Sequence, residues 1–265
     1  MSEQIIEVKK LSCKTGQKYL LHDINWQVQE GEKWVVFGEN GSGKTTLLSI
    51  IAGLKKYTSG TVKLFGEDYT SERELEYRKR ISFVSTSYYD KIFRNESVLQ
   101  IILSGKTGTL SLSHQITNAD VCSARRIMDY LRISYKKDMP YCMLSKGEQQ
   151  STILARALLA NPDILLLDEA ESGLDLIARL HLQQILKGIA EKKNITMISV
   201  THYPNEISDL FQQCLLLKRG KTFKRGNISD VFSSSVMSDY FEQEVIVEKA
   251  ATGYQVTQAK LYSGI

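Results

Sequence analysis

The apolar positions of the chain fall into short strand-like runs that alternate with segments of helical spacing. Three apolar runs come first, at residues 5–11, 20–28 and 34–37, and a glycine-rich stretch follows the third. From Lys44 onward the apolar residues recur as on a buried helix, and Gly53 stands where such a helix would end. The chain therefore opens in the order strand, glycine loop, helix.

The middle of the chain changes from strands to helices. A hairpin-like stretch at residues 60–65 and a charged helix near residues 71–80 lead to an alternating strand at residues 81–84. The spacing is helical from about residue 95 to residue 143, with helical runs at residues 98–103 and 119–131 separated by a polar stretch of Gly, Thr and Ser. We predict an inserted helical subdomain at residues 94–143.

The second half of the chain returns to a regular alternation of helices and strands. The pattern predicts helices at residues 146–159, 177–191 and 229–241, and strands at residues 164–167, 196–201, 215–218, 244–248 and 254–259. Such alternation is typical of an α/β fold, in which helices cover both faces of a parallel or mixed sheet. The last helix and the last two strands predict a terminal helix and β-hairpin.

These elements divide the chain into three predicted parts. Residues 1–93 and 144–228 form an α/β core with an N-terminal antiparallel β subdomain. Residues 94–143 form the helical subdomain, and residues 229–265 form a segment that we call the C-terminal extension. The total of 265 residues is long enough to bury a core of this size.

Composition and charge narrow the possible functions. Apolar residues make up 42% of the chain and charged residues 24%, a balance that excludes a disordered or fibrous protein. The 34 basic and 30 acidic side chains give a net charge of +4, and the basic pairs are scattered rather than gathered in a stripe. Nucleic acid is therefore not expected as the main partner.

Two features of the sequence indicate the cell compartment. No apolar run approaches the roughly 18 residues that a membrane-spanning helix needs, and residues 1–10 lack a signal-peptide pattern. The four cysteines are widely spaced, with no Cys-x-x-Cys pair. We therefore expect a cytoplasmic protein with reduced, mostly buried thiols and neither a disulfide framework nor a zinc site.

The glycine-rich stretch that begins at Gly38 reads Gly-Glu-Asn-Gly-Ser-Gly-Lys-Thr and fits the phosphate-loop (P-loop) pattern. Backbone N–H groups at a helix N-terminus hold polyphosphate, so glycine is needed where a side chain would block the approach. The pattern directs Lys44 to the β and γ phosphates and the hydroxyl of Thr45 to Mg²⁺. The other predicted phosphate-binding residues are Gly38, Asn40, Gly41, Ser42, Gly43 and Thr46.

Two adjacent carboxylates, Asp168 and Glu169, follow the apolar run at residues 164–167. The carboxyl end of a strand is the usual ligand position in open α/β sheets. Asp168 is predicted to hold Mg²⁺ through water, and Glu169 to orient or deprotonate the attacking water. Taken alone, the pair could also be acidic residues at the start of a helix.

Between these two motifs, residues 144–148 read Leu-Ser-Lys-Gly-Glu, followed by two glutamines and a helix rich in Ala-Arg-Ala. Here the chain resembles the ATP-binding subunits of ABC transporters, over about residues 4–230. The resemblance implies a P-loop NTPase core and an Mg²⁺-dependent ATPase that acts as an ATP-dependent, head-to-tail homodimer. It also implies a separate membrane-spanning subunit, docked on the helical subdomain, that would hold the protein at the inner face of the cell membrane.

In that family the signature serine and a following glycine contact the γ phosphate bound by the other subunit, which assigns this role to Ser145 and Gly147. From the residues alone, Ser145 and Glu148 form a capping box that begins a helix. Leu-Ser-Gly-Gly-Gln is commoner in the family, so Lys146 and Glu148 are departures. Lys146 either adds charge near the phosphate or faces solvent.

Two further residues take their roles from the resemblance. Residues 172–175, Ser-Gly-Leu-Asp, resemble the D-loop, which carries Asp175 across the same interface. His202 resembles the switch histidine that senses the γ phosphate and, like Glu169 and Lys44, is assigned to catalysis. A lone histidine at a strand end is by itself more often a satisfied polar residue.

Two positions depart from the family pattern. The strand at residues 81–84 ends in Ser-Thr-Ser, where the family usually has a glutamine that touches Mg²⁺, so we assign Thr86 to the metal. Tyr19 is the nearest substitute for the aromatic residue that stacks on the base, although a tyrosine on a strand is more often packing. Together with the Leu-Ser-Lys-Gly-Glu signature and the predicted terminal hairpin, these two departures make the chain similar to a stand-alone branch of the family. That branch is related to molybdate-uptake ATPases.

Two other functions remain as alternatives. One is a soluble, non-transport ABC ATPase that acts on nucleic acid or the ribosome, favoured by the missing glutamine and the small positive charge. The other is an ATP-binding switch with negligible hydrolysis, against which Glu169, His202 and the intact phosphate loop argue.

Overall fold

The computed structural model describes residues 3–108, 116–250 and 253–258. The strands are β1 (Gln4–Thr15), β2 (Lys18–Gln29), β3 (Lys33–Phe37), β4 (Ser59–Leu64), β5 (Glu67–Asp68), β6 (Ile81–Val84), β7 (Ile164–Asp168), β8 (Thr196–Thr201), β9 (Gln213–Lys218), β10 (Lys221–Asn227), β11 (Val245–Lys249) and β12 (Tyr254–Gln258). The helices are α1 (Lys44–Ile51), α2 (Glu74–Arg80), α3 (Thr86–Tyr89), α4 (Val98–Ser104), α5 (Asn118–Tyr130), α6 (Lys146–Leu159), α7 (Leu176–Lys192), α8 (Ile228–Val231) and α9 (Ser234–Phe241).

The N-terminal strands form an antiparallel sheet in the order β2-β1-β4-β5. Strands β1 and β2 extend beyond the predicted apolar runs and pair along most of their length. Apolar side chains of β1 such as Ile6, Val8 and Leu11 are buried, whereas Glu7 and Lys9 are not. This alternation buries one face of the sheet, and the predicted antiparallel β subdomain is confirmed.

The larger sheet has the order β10-β9-β3-β8-β7-β6, and β10 is its antiparallel edge strand. The other strands run parallel, and nearly all of their residues are buried, so both faces of the sheet are covered by other parts of the chain. Phe37 pairs with Thr201, Asp168 with Val200, and Val84 with Leu167. The predicted α/β fold is confirmed, and its register brings four strand ends to one edge.

The described residues between positions 94 and 143 are mainly helical. Helix α4 begins with a capping box of Ser97 and Gln100, and α5 begins with one of Thr117 and Asp120. Arg156 on α6 donates hydrogen bonds to Ser104 Oγ at 3.0 Å and to Tyr89 Oη at 3.1 Å. These bonds join α6 to α4 and α3. The division of the chain at residues 94 and 143 stays a prediction, and residues 109–115 of the polar stretch lie outside the described residues.

The C-terminal extension contains two short helices, α8 and α9, where the sequence predicted a single helix at residues 229–241. The helix is interrupted after α8, because Phe232 turns inward and packs its ring on Phe37, with ring centroids 4.9 Å apart. Ser233 then begins α9 in an extended conformation. Strands β11 and β12 pair as the predicted terminal hairpin. Ala259, at the end of the predicted second strand, lies outside the described residues.

Cysteine burial also differs from the prediction. Cys13 and Cys214 are buried, but Cys122 and Cys142 are exposed, so the expectation of mostly buried thiols is wrong for the second pair. All four are free thiols in the structure. Among the described residues, none of the helices combines the length and the apolarity needed to span a bilayer.

Candidate active site

The phosphate loop connects β3 to α1 through tightly packed glycines. Gly43 has a φ of 102°, and a Cβ there would lie 2.7 Å from the carbonyl oxygen of Leu20. A Cβ at Gly38 would lie 2.4 Å from the carbonyl oxygen of Leu217. Since a side chain at either position would collide with backbone, the glycines allow the loop to lie against β2 and β9.

The side chain of Lys44 lies inside this loop. Its Nζ donates hydrogen bonds to the carbonyl oxygens of Gly38 at 2.7 Å and Glu39 at 3.0 Å, and the residue is 5% exposed. Burial lowers the pKa of Lys44, and the nearby carboxylates of Glu169 and Asp168 partly oppose this effect. The loop therefore holds a largely desolvated ammonium at the N-terminus of α1, where an anion is favoured.

Asp168 lies at the end of β7 and accepts hydrogen bonds from two hydroxyls. Thr45 Oγ1 donates to Asp168 Oδ1 at 2.8 Å, and Ser85 Oγ donates to Oδ2 at 3.2 Å. The carboxyl is buried, and desolvation raises its pKa although both hydrogen bonds oppose this. The three side chains come together because α1, β6 and β7 end or begin at the same edge of the sheet.

The hydroxyl from the end of β6 differs from the one predicted. The sequence assigned Thr86 to the metal, but Ser85 contacts Asp168, while Thr86 begins α3. The parallel register pairs Val84 with Leu167, which places the next residue of each strand, Ser85 and Asp168, side by side. The order of the strands in the sheet was the information that the sequence lacked.

Glu169 and His202 face each other across neighbouring strand ends. Glu169 Oε1 lies 3.2 Å from His202 Nδ1, and the Glu169 side chain is 37% exposed. Its backbone has a φ of 50°, a left-handed conformation that turns the chain sharply after Asp168. Glu169 thus faces the same open space as the phosphate loop. That space is a pocket of about 230 Å³ lined by Leu20, Asn40, Gly41, Gly43, Lys44, Thr45, Thr46 and Glu169.

Tyr19 lies beside this pocket. It is 42% exposed and directly precedes Leu20, which lines the pocket. The ring is 4.5 Å from that of His22, and Lys14 Nζ lies 4.3 Å from its centroid. An exposed aromatic ring at this place is compatible with a base-stacking role, which stays a prediction.

The signature residues line a different pocket. Ser145 and Glu148 form the predicted capping box: Glu148 N donates to Ser145 Oγ at 3.3 Å, and Ser145 N donates to Glu148 Oε2 at 2.8 Å. Ser145, Gly147 and Asp175 line a pocket of about 470 Å³ that contains neither Lys44 nor Glu169. Within one chain, the predicted site residues therefore form two separate groups.

Asp175 and Lys146 also have partners within the chain. Asp175 Oδ1 accepts a hydrogen bond from Ala178 N at 2.8 Å and so caps the N-terminus of α7. Lys146 Nζ lies 3.2 Å from Asp90 Oδ2, in the segment after α3, and its side chain is 58% exposed. Lys146 therefore faces solvent with one ion-pair partner in its own chain, and its added charge near the phosphate stays a prediction.

A buried charged cluster behind His202 was not found by sequence reasoning. Gln183 Nε2 donates to both carboxyl oxygens of Glu171, at 3.0 and 3.1 Å, and Arg179 Nε lies 3.7 Å from Glu171. Arg179 Nη2 lies 3.8 Å from Glu206 Oε1, and the second carboxyl oxygen of Glu206 accepts a hydrogen bond from Thr201 Oγ1. Burial raises the pKa of Glu171 to about 7. No local motif marks these residues, because they come from four separate segments.

This cluster predicts a pH dependence of stability. The pKa of the Glu171 carboxyl rises from 4.5 to about 7 on folding, so the folded state favours the protonated form. The contribution of this group to the free energy of unfolding is therefore fully present below pH 4.5 and is lost as the pH rises to 7. Relative to the wild type, Glu171→Gln should gain on the order of 2 to 3 kcal/mol of unfolding free energy between pH 4.5 and pH 8. Urea unfolding at both pH values measures this. The exposed control Glu191→Gln should track the wild type, and identical pH profiles for Glu171→Gln and the wild type would contradict the prediction.

A strand followed by a glycine loop around a buried lysine, with a carboxylate at the end of a neighbouring strand, defines a P-loop nucleoside triphosphatase. The sequence matches the family model of the ABC transporter over residues 21–172, more than half of the chain. It is 34% identical over 245 residues to the ABC transporter ATP-binding protein YlmA of Bacillus subtilis, covering 92% of this chain and 93% of that protein. The chain belongs to the ABC transporter family, as an ATP-binding subunit that hydrolyses ATP.

Other relatives and solved structures agree with this assignment. The sulfate/thiosulfate import ATP-binding protein CysA of Bradyrhizobium diazoefficiens is 32% identical over 229 residues, covering 86% of this chain and 65% of that protein. The ATP-binding cassette MJ0796, solved as a dimer in a post-hydrolysis state with ADP and phosphate, is 25% identical, with a TM-score of 0.72 over 84% of this chain and 99% of that one. The ABC resemblance is confirmed, the nucleic-acid alternative gains no support, and the molybdate branch stays a prediction.

Proposed function

We propose that this chain hydrolyses ATP in a head-to-tail dimer and thereby drives a membrane-spanning partner subunit. The observation that carries the proposal is the separation of the two predicted groups of site residues. Lys44 and Glu169 line one pocket, and Ser145 and Gly147 line another. A phosphate that touches both groups requires a second copy of the chain, with its signature helix α6 pointing at the loop.

The phosphate loop would bind the β and γ phosphates through its backbone N–H groups and Lys44. The Lys44 ammonium now donates to two carbonyl oxygens, and a phosphate oxygen would be a stronger, charged acceptor for it. Asn40, Gly41, Gly43 and Thr46 line the same pocket and would complete this contact. Gly38 and Ser42 would act by shaping the loop, since a Cβ at Gly38 would lie 2.6 Å from Ser42 Oγ.

Glu169 would act as the general base. Its carboxylate lies in the pocket with Lys44, is partly exposed, and has His202 Nδ1 3.2 Å from its Oε1. A carboxylate fixed in this way can accept the proton of a water molecule that attacks the γ phosphorus. His202 would keep the carboxylate oriented and respond to the loss of the phosphate.

The side chains around Asp168 fit Mg²⁺. Thr45 and Ser85 each place a hydroxyl oxygen within hydrogen-bonding distance of the Asp168 carboxylate, and oxygen is the ligand that Mg²⁺ prefers. Mg²⁺ commonly binds few protein groups together with substrate phosphates. When bound, the ion would screen the charge of the phosphoryl oxygens. Ser85 thus takes the position proposed for Thr86, whose hydroxyl would lie one residue further on.

The remaining assigned residues would complete the dimer. Asp175 begins α7 beside the signature pocket, where it can reach the interface while it caps its helix. Tyr19, at the side of the phosphate pocket, would stack on the base.

The CysA name describes an importer of sulfate or thiosulfate, and we propose transport as the use of the ATPase cycle here. Tyr130, Tyr135 and Met143, exposed on the region 94–143, would contribute apolar contacts to the membrane subunit.

The dimer is tested by measuring molecular mass with and without ATP. In a Glu169→Gln background, which should slow turnover strongly, ATP should double the mass measured by light scattering after size-exclusion chromatography. Adding Ser145→Arg should keep the chain monomeric, while ATP affinity measured at a protein concentration too low for dimerisation should be unchanged, because Ser145 does not line the loop pocket of its own chain. Ser229→Arg, an exposed change in the C-terminal extension, is the control and should still allow dimerisation. A monomer under saturating ATP would refute the proposal.

A further inference from the structure

The C-terminal extension makes a direct contact with the phosphate loop. Tyr240 on α9 is 1% exposed, and its hydroxyl accepts a hydrogen bond from the Glu39 backbone N–H at 2.9 Å. The same hydroxyl donates to the carbonyl oxygen of Leu217 on β9 at 3.1 Å. One side chain of the extension therefore joins the second residue of the loop to the central sheet.

The hydrogen bond between Tyr240 and Glu39 lies next to the backbone atoms that hold Lys44. The carbonyl oxygen of Glu39, whose N–H bonds Tyr240, is one of the two acceptors of Lys44 Nζ. The Leu217 carbonyl is also the atom against which Gly38 packs. Gly38, Glu39, Leu217 and Tyr240 thus form one junction, and movement of Tyr240 changes the position of the carbonyls that hold Lys44.

The tyrosine is itself held in place. Lys218 Nζ donates to the Tyr240 carbonyl at 2.5 Å and to Glu242 Oε1 at 2.6 Å, and the Tyr240 ring packs edge-on against Phe223. Burial raises the pKa of Tyr240 to about 12, so the hydroxyl keeps the proton that it donates to Leu217. The hydroxyl therefore acts at neutral pH as donor and acceptor at once.

The extension also reaches the other side of the active site. The hairpin packs on the turn Pro204–Glu206, which follows His202: a Cβ at Gly253 would lie 2.7 Å from the Asn205 backbone. Lys249 Nζ forms an ion pair with Asp209 at 2.8 Å. The extension is therefore anchored both at the entry to the loop and behind the histidine.

We propose that Tyr240 is a positioning residue for the phosphate loop, through which the C-terminal extension sets the affinity for ATP. This rests on the proposed binding of phosphate by residues 38–46. The two hydrogen bonds restrain the loop in the conformation in which Lys44 and the backbone N–H groups converge. Without them, a smaller fraction of the free protein has that conformation, and the apparent dissociation constant rises by the same factor.

The test compares Tyr240→Phe with Tyr254→Phe, which removes a hydroxyl from the same extension but whose ring packs on Phe232. Because the hydrogen bond from Glu39 N–H, the one of the two that reaches the loop, contributes about 1 kcal/mol, Tyr240→Phe should raise the Kd and the KM for Mg-ATP by about 5-fold, with kcat changed by less than about 2-fold. Tyr254→Phe should leave all three unchanged. Folded Tyr240→Phe with wild-type Kd and KM would overturn the proposal.

Hydrogen exchange of the wild-type chain gives a second measurement that needs no variant. By linkage, if docking of Tyr240 favours ATP binding, saturating ATP must favour docking of Tyr240. Mg-ATP should therefore slow amide exchange in α9 as well as in the loop. Slowing in the loop alone would overturn this proposal and leave the site intact. Slowing in neither segment would instead refute the proposed phosphate site.

Discussion

We expect the Glu169→Gln variant to hydrolyse ATP about 10² to 10⁴ times more slowly than the wild-type chain, while binding ATP with unchanged affinity. The amide keeps the size of the carboxylate but cannot accept the proton of the attacking water. Lys44 and the loop, which would hold the phosphates, are untouched. Steady-state phosphate release measures the rate, and calorimetric titration measures the binding.

Glu171→Gln is the matched control for this experiment. It makes the same chemical change two residues later, but Glu171 contacts Gln183 and Arg179 behind the site instead of lining the pocket. Its turnover at neutral pH should stay within a few-fold of the wild type. Hydrolysis near the wild-type rate in Glu169→Gln would exclude Glu169 as the base.

Lys44→Ala should weaken ATP binding by about 10- to 100-fold, because a hydrogen bond to a charged group contributes about 1.5 to 3 kcal/mol. The ammonium is already desolvated and lies among the carbonyls at the loop entry. A bound phosphate would thus gain a charged hydrogen-bond donor without the free-energy cost of desolvating the Lys44 ammonium. Titration with Mg-ATP gives the dissociation constant.

Lys33→Ala serves as the control for the lysine. Lys33 begins β3 and its Nζ donates to the Gly31 carbonyl at 2.6 Å, a comparable bond at the opposite end of the strand from the loop. Its loss should not change ATP affinity. If Lys44→Ala binds ATP as the wild type does, the phosphates do not lie where we propose. Thermal unfolding of both variants checks that each is folded.

Much of the site could be predicted because its parts are local. Each motif is confined to a few residues: the spacing of Gly38, Gly43 and Lys44, and the position of Asp168 after an apolar run. The end of a strand can be recognised in the sequence without knowing which strands pair with it. The capping box of Ser145 was equally local, since helix N-terminal bonds join residues three apart.

The misplaced predictions depend on contacts between distant segments. Ser85 contacts Asp168 only because β6 lies beside β7. The predicted helix 229–241 is interrupted because Phe232 finds the ring of Phe37. Cys122 lies on the exposed side of α5, and which side of a helix is buried depends on its neighbours.

The amino-acid sequence alone determined that this protein belongs with the ABC ATPases and predicted its phosphate site at the N-terminus of α1, because backbone conformation and helix capping are decided within a few residues. Only the tertiary structure decided which side chains meet: Lys146 with Asp90, Glu171 with Arg179, and Tyr240 with the loop at Glu39. The physical reason is that these contacts join segments far apart in the chain, whose approach depends on sheet order and packing and leaves no periodic trace in the sequence.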